Sequence, residues 1–111
     1  MKIKTEIQKS ENKFFNLCHK HQVKTLYAFG SSVTDQFDEK NSDIDLLVDI
    51  DETDPIERGR ILMDFWDHME NFFGRKVDLL TESSLKNPIL RRSIEKKKIM
   101  IYDRRGQKVP S

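Results

Sequence analysis

At 111 residues the chain has the length of one domain, 1–111, enough for a single core and too short for two. Lys plus Arg number 20 against 19 Asp plus Glu, a formal charge of +1, so nothing global argues for nucleic acid or a membrane surface as a partner. No apolar run approaches the ~20 residues that cross a bilayer, the first residues lack the apolar core of a signal peptide, and Cys18 is the sole cysteine, which excludes an internal disulfide. A cytoplasmic location and a buried Cys18 are expected.

In chain order, Thr5 to Lys20 is predicted to be helical on a broken stripe of Ile3, Ile7, Phe14, Leu17 and Cys18. Thr25 to Phe29 reads as the first strand. It ends in Gly30-Ser31-Ser32, where Ser31 or Ser32 is expected to cap a short helix whose free N–H groups suit a phosphate. Residues 33–41 are polar and expected to form a surface loop. The second strand spans Asp43 to Ile50, with Ile44, Leu46, Val48 and Ile50 as an apolar row that packs on helices.

Asp54-Pro55-Ile56-Glu57 then supplies a capping residue, a proline at the first helical position and a glutamate for a capping box. Leu62, Phe65, Trp66, Met69, Phe72 and Phe73 recur at three- and four-residue steps, so this helix is predicted to run to Phe73 and to end at Gly74. Val77 and Leu79 face one way in a third strand and Asp78 the other. Asn87-Pro88 starts another helix, Ile99 to Tyr102 forms a fourth strand, and Arg104 to Ser111 is expected to fray. His19, His21 and His68 show no zinc-ligand spacing and read as surface residues.

The chemistry concentrates in a few positions. Side chains at i and i+2 of a strand share a face with Cα atoms about 6.5–7 Å apart, so Asp43 and Asp45 can close on one divalent cation. An Asp-x-Asp by itself is most often a wet strand face. Here Gly30-Ser31 stands at the end of the preceding strand and Asp78 supplies a third carboxylate, which tips the reading towards a metal–nucleotide site. A calcium loop is excluded, because Ile44 and Leu46 stand where such a loop needs a Gly-containing turn of oxygen ligands.

Gly30-Ser31, the string Ser42-Asp43-Ile44-Asp45-Leu46-Leu47-Val48 and Val77-Asp78-Leu79 after Gly74 together resemble the minimal nucleotidyltransferases of the polymerase beta-like superfamily, over about Leu26 to Tyr102. The resemblance implies an α/β (α+β) nucleotidyltransferase fold, a small mixed sheet of about four strands with helices on one face. It implies that Asp43 and Asp45 hold Mg²⁺, that Asp78 completes the metal site and acts on the nucleophile, and that Gly30, Ser31 and Ser32 contact the triphosphate of ATP. It further implies transfer of AMP to a tyrosine of a HEPN-type helical toxin, with this chain as the antitoxin.

One departure stands out. Where family members carry a basic residue after Gly-Ser, this chain has Ser32-Val33-Thr34-Asp35, which leaves Arg91 and Arg92 as alternative cations. The rival reading is therefore a protein that neutralises its partner by stoichiometric binding without chemistry. Nucleic-acid binding by Lys96-Lys97-Lys98 and Arg104-Arg105 ranks below both, since cations suit a helix end anyway. From Asp35 to Asp54 the only basic residue is Lys40, and from Lys86 to Lys108 the only acidic ones are Glu95 and Asp103, a contrast that two solvated faces or a homo-oligomer would explain.

Overall fold

The alternating row Ile44, Leu46, Val48 and Ile50 builds the centre of the molecule. In the computed structural model, which describes residues 3–33 and 43–106 without the side chains of Ser31 and Ser32, all four are buried on one face of a four-stranded sheet. The described elements are α1 (Ile3–Lys9), α2 (Glu11–Lys20), β1 (Val23–Phe29), a 3₁₀ turn (Gly30–Val33), β2 (Ile44–Ile50), α3 (Pro55–Phe73), β3 (Val77–Thr81), a second 3₁₀ turn (Glu82–Ser84), α4 (Pro88–Lys97) and β4 (Ile99–Asp103). Strand order is β3-β2-β1-β4. β1 runs antiparallel to both β2 and β4, and β2 and β3 are parallel, joined by α3. This is the mixed α+β sheet that the resemblance implies.

Helices α1 to α3 cover the aliphatic face, where Ile7, Phe14, Cys18, Phe65 and Met69 are fully enclosed. The expectation of helices on one face holds for these three. α4 lies on the other face, its Ile94 packed with Phe29, Leu47 and Leu85. The reason is that β2 carries Leu47 between its two rows, so its second face is apolar at the centre and needs cover of its own.

Local differences have local causes. The predicted first helix is two, because Ser10 leaves the helical region at φ −139° and ψ 50°, and a serine competes poorly for a helix interior. β1 begins two residues early, β2 begins at Ile44 so that Asp43 stands just before it, and β4 extends to Asp103. Arg104 is not frayed: its N–H donates to the Lys24 carbonyl at 2.9 Å and its guanidinium to Asp51 at 2.7 Å. The polar loop expected over 33–41 falls outside the described residues except for Val33, which closes the first 3₁₀ turn.

α3 has the predicted limits. Asp54 accepts from the Ile56 N–H at 3.3 Å, Pro55 occupies the first turn, and Gly74 ends the helix in the left-handed region at φ 66°. Glu57 does not close the capping box. Glu52 accepts the Asp54 N–H at 3.3 Å from the preceding turn, and Glu57 pairs with Arg60 at 3.5 Å.

α3 also fixes the sheet edge. Ile44 N–H donates to the Lys76 carbonyl at 3.1 Å, so the N–H and C=O of Val77 point away from β2, to the open edge. Two side chains one helical turn apart on α3 satisfy them: Glu70 accepts from Val77 N–H at 3.0 Å and Trp66 Nε1–H donates to Val77 O at 2.6 Å. An edge backbone is thereby paired without a further strand. Replacing Trp66 by Phe keeps most of the ring's packing and removes the donor. We expect Trp66→Phe to lower stability by about 1–2 kcal/mol in urea denaturation, with hydrogen exchange at β3 rising more than at β1.

Candidate active site

Asp45 sits in β2 and Asp78 in β3, directly paired in the parallel register. Register partners on neighbouring strands lie about 4.8 Å apart and point to the same side, so the two carboxylates share one face. Asp43, two residues before Asp45, joins them from the start of the strand. On the other flank, β1 pairs Phe29 with Asp45, which brings Gly30 alongside the same carboxylate. A Cβ added at Gly30 would collide with the Asp45 carboxyl group, and the backbone there has φ 67°. Glycine is thus required twice over, for space and for conformation.

Asp45 is half-buried, and its carboxyl group is pushed up to about 6, first by burial and then by the charges of Asp78 and Asp43. Lys76 comes no nearer than 4.0 Å to Asp43 and is largely exposed, so it offsets little of this charge. Among the described residues, the three aspartates do not converge to within 4.8 Å as a set, as like charges would not. Arg91, one alternative cation, is committed elsewhere: it reaches Glu82 Oε2 at 2.6 Å and the carbonyls of Glu82 and Leu85 at 3.1 and 2.9 Å, fastening α4 to the second 3₁₀ turn. Of the remaining predicted positions, Ser31 and Ser32 continue the 3₁₀ turn that starts at Gly30, and their side chains lie outside the description.

The histidine reading needs correction. His21 is 4% exposed, with its ring 5.4 Å from that of Phe65, and it meets Asp64 and His68 in a cluster of ligand-type atoms. A signal was present: Phe14, Cys18 and His21 follow one helical stripe, and Asp64 and His68 are four apart on α3. His21 lies one residue past the end of α2, where periodicity is easily discounted.

Residues 13–101 match the nucleotidyltransferase domain family, and the chain belongs to that family. Two Methanocaldococcus jannaschii proteins described as candidate protein adenylyltransferases are 35% and 36% identical over 85 residues, 77% of this chain and 83% of each relative. A solved candidate minimal nucleotidyltransferase superposes with a TM-score of 0.60 at 26% identity, covering 89% of this chain and 95% of that one. The MNT antitoxin solved in complex with a tri-AMPylated Shewanella oneidensis HEPN toxin shares the fold, with a TM-score of 0.53, 22% identity and coverage of 89% and 74%. The chain is therefore a nucleotidyltransferase, built on the mixed sheet described above.

The raised Asp45 carboxyl has a consequence for stability. Between its ordinary value of 3.8 and about 6, the folded state holds a proton that the unfolded chain has released. Stability therefore falls as pH rises through that window, and the loss persists in full above it. Allowing for partial solvent screening, the cost is about 1–2 kcal/mol. Asp45→Asn should raise the urea midpoint at pH 7 accordingly and flatten the slope between pH 4 and 6. An unchanged midpoint would show that the carboxylate is already compensated.

Proposed function

We propose that this chain transfers AMP from ATP to a protein hydroxyl, a tyrosine of a HEPN-type helical partner, and so acts as the antitoxin of a two-protein system. The reading is carried by the placement of Asp45 and Asp78 side by side with Asp43, next to the glycine that ends β1. It is supported by the names of the Methanocaldococcus jannaschii relatives and by the AMPylated toxin bound to the MNT antitoxin of like fold.

The residues suit Mg²⁺. The donors are carboxylate oxygens only, and the raised Asp45 carboxyl marks negative charge in want of a cation. Asp43 and Asp45 would hold the ion, with Asp78 completing the set. When bound, Mg²⁺ supplies charge neutralisation for the phosphate oxygens during transfer.

The chain's own groups do the rest. Gly30 lets the triphosphate approach the backbone beside Asp45, and the turn Gly30-Ser31-Ser32 offers N–H groups to the β- and γ-phosphates. Asp78, the exposed member of the trio, accepts the proton of the tyrosine hydroxyl. The phenolic oxygen forms a bond to the α-phosphorus as the bond from that phosphorus to the α,β-bridging oxygen breaks, and pyrophosphate leaves. Positioning and charge placement account for the catalysis. This chain carries the nucleotide site, and the acceptor comes from the partner, in the cytoplasm where ATP is at hand.

The test is label transfer from α-labelled ATP with Mg²⁺ and the purified partner. Asp43→Asn and Asp45→Asn should abolish transfer while the fold persists, and Asp78→Ala should lose at least tenfold in turnover while keeping part of the nucleotide binding. Equal transfer by wild type and the Asp45 variant would remove the assignment. Neutralisation of the partner by all three variants without any transfer would establish stoichiometric capping instead.

A further inference from the structure

His21, Asp64 and His68 bring ligand atoms within 4.8 Å of one another. His21 is buried at the end of α2, and Asp64 and His68 stand one turn apart on α3. The hydrogen positions follow from the acceptors. A carbonyl can only accept, so His21 Nδ1–H donates to the Leu17 carbonyl at 2.7 Å. His21 Nε2 then faces Asp64 Oδ2 at 2.6 Å, so the ring's second nitrogen and the carboxylate point at one place. His68 stands beside them, its Nδ1 2.8 Å from the Asp64 carbonyl and 3.5 Å from Asp64 Oδ2, the same carboxylate oxygen that His21 Nε2 faces. An imidazole tied through one nitrogen to a main-chain carbonyl, as His21 is, is held as metal-bound imidazoles are.

We propose that His21, Asp64 and His68 form a site for a divalent transition-metal ion of the zinc class. Two imidazoles and one carboxylate suit Zn²⁺, and also Co²⁺, Ni²⁺ and Cu²⁺, whereas Mg²⁺ and Ca²⁺ call for oxygen ligands throughout. Ligands at tetrahedral positions around zinc lie about 3.3 Å apart, so the His21–Asp64 contact must open by less than ~1 Å as the metal enters. Asp64, 57% exposed, has the freedom to swing. An open groove bounded by Lys20, His21, Arg60 and Asp64 admits the ion. Bound there, the metal staples the end of α2 to the middle of α3 across 43 residues of sequence.

The site is separate from the aspartates. From Asp45 the strand β2 continues to Ile50, which pairs with Val23, two residues after His21. Five residues of strand put about 17 Å between the two ends. The inference is therefore independent of the proposed transfer reaction.

The experiment is zinc titration of the purified full chain by calorimetry and by competition with a chromophoric chelator, with Co²⁺ spectra as a second readout. Wild type should bind one Zn²⁺ per chain and unfold at a higher temperature with it. His68→Gln should weaken binding at least tenfold and cancel the zinc-dependent rise, while its metal-free unfolding temperature stays near that of wild type. Asp64→Asn, at a more exposed position, gives the same readout if His68→Gln fails to fold. His19→Gln and Asp45→Asn should bind zinc as wild type does. The proposal is overturned if wild type takes up no stoichiometric zinc, if neither His68→Gln nor Asp64→Asn weakens binding, or if zinc is lost on Asp45→Asn.

Discussion

The hold that α3 keeps on Val77 governs where the chemistry can be. β3 is an edge strand of five residues, too short to set its own register by packing alone. Trp66 and Glu70 take the C=O and N–H that Val77 turns outwards, and Ile44 takes the neighbouring carbonyl from inside. With those three bonds made, Asp78 can only lie beside Asp45. A slip of one residue would send it to the opposite face, among Ile44, Leu46 and Leu79, and the trio of carboxylates would not exist. A helix with no acidic member of the trio thus decides the geometry of the trio.

That geometry is costly on its own terms. Asp45 is held in partial burial beside two like charges, with Gly30 pressed so close that no other residue would fit. Nothing in packing requires it: Asp43 and Asp78 touch solvent and could be replaced without opening a cavity. An arrangement that raises the folded state's energy, and that a hard cation would relieve, is what the proposed metal-assisted transfer would use, because the same negative charge that repels itself would draw in the ion.

Much of this was readable in the residues, and the exceptions share a cause. The limits of α3 follow from Asp54-Pro55 and Gly74, where the chain's own dihedral preferences act within a few residues. The buried row of β2 follows from strict alternation, and the facing of Asp78 onto Asp45 follows from the βαβ-like order that makes β2 and β3 parallel. What failed to show was set by partners distant in sequence. His21 is enclosed because Phe65 and Asp64 come to it from α3, Arg104 is ordered because Asp51 and Lys24 receive it, and α4 crosses to the second face because Leu47 and Phe29 need cover there. Glu57 at the helix start had the right spacing for a capping box and lost the place to Glu52, a choice between neighbours that spacing cannot decide.

The same strand carries both the cost and its offset. Ile44, Leu46, Val48 and Ile50 are each buried at about 1.5–3 kcal/mol, so the row contributes several times the 1–2 kcal/mol by which an ionised Asp45 weakens the fold. Alternation puts the two on opposite faces at adjacent positions, and neither can be moved without the other. For Asp45 to escape its neighbours, β2 would have to leave the core, and the core is worth more than the repulsion. The like charges are therefore kept together by hydrophobic burial one residue away.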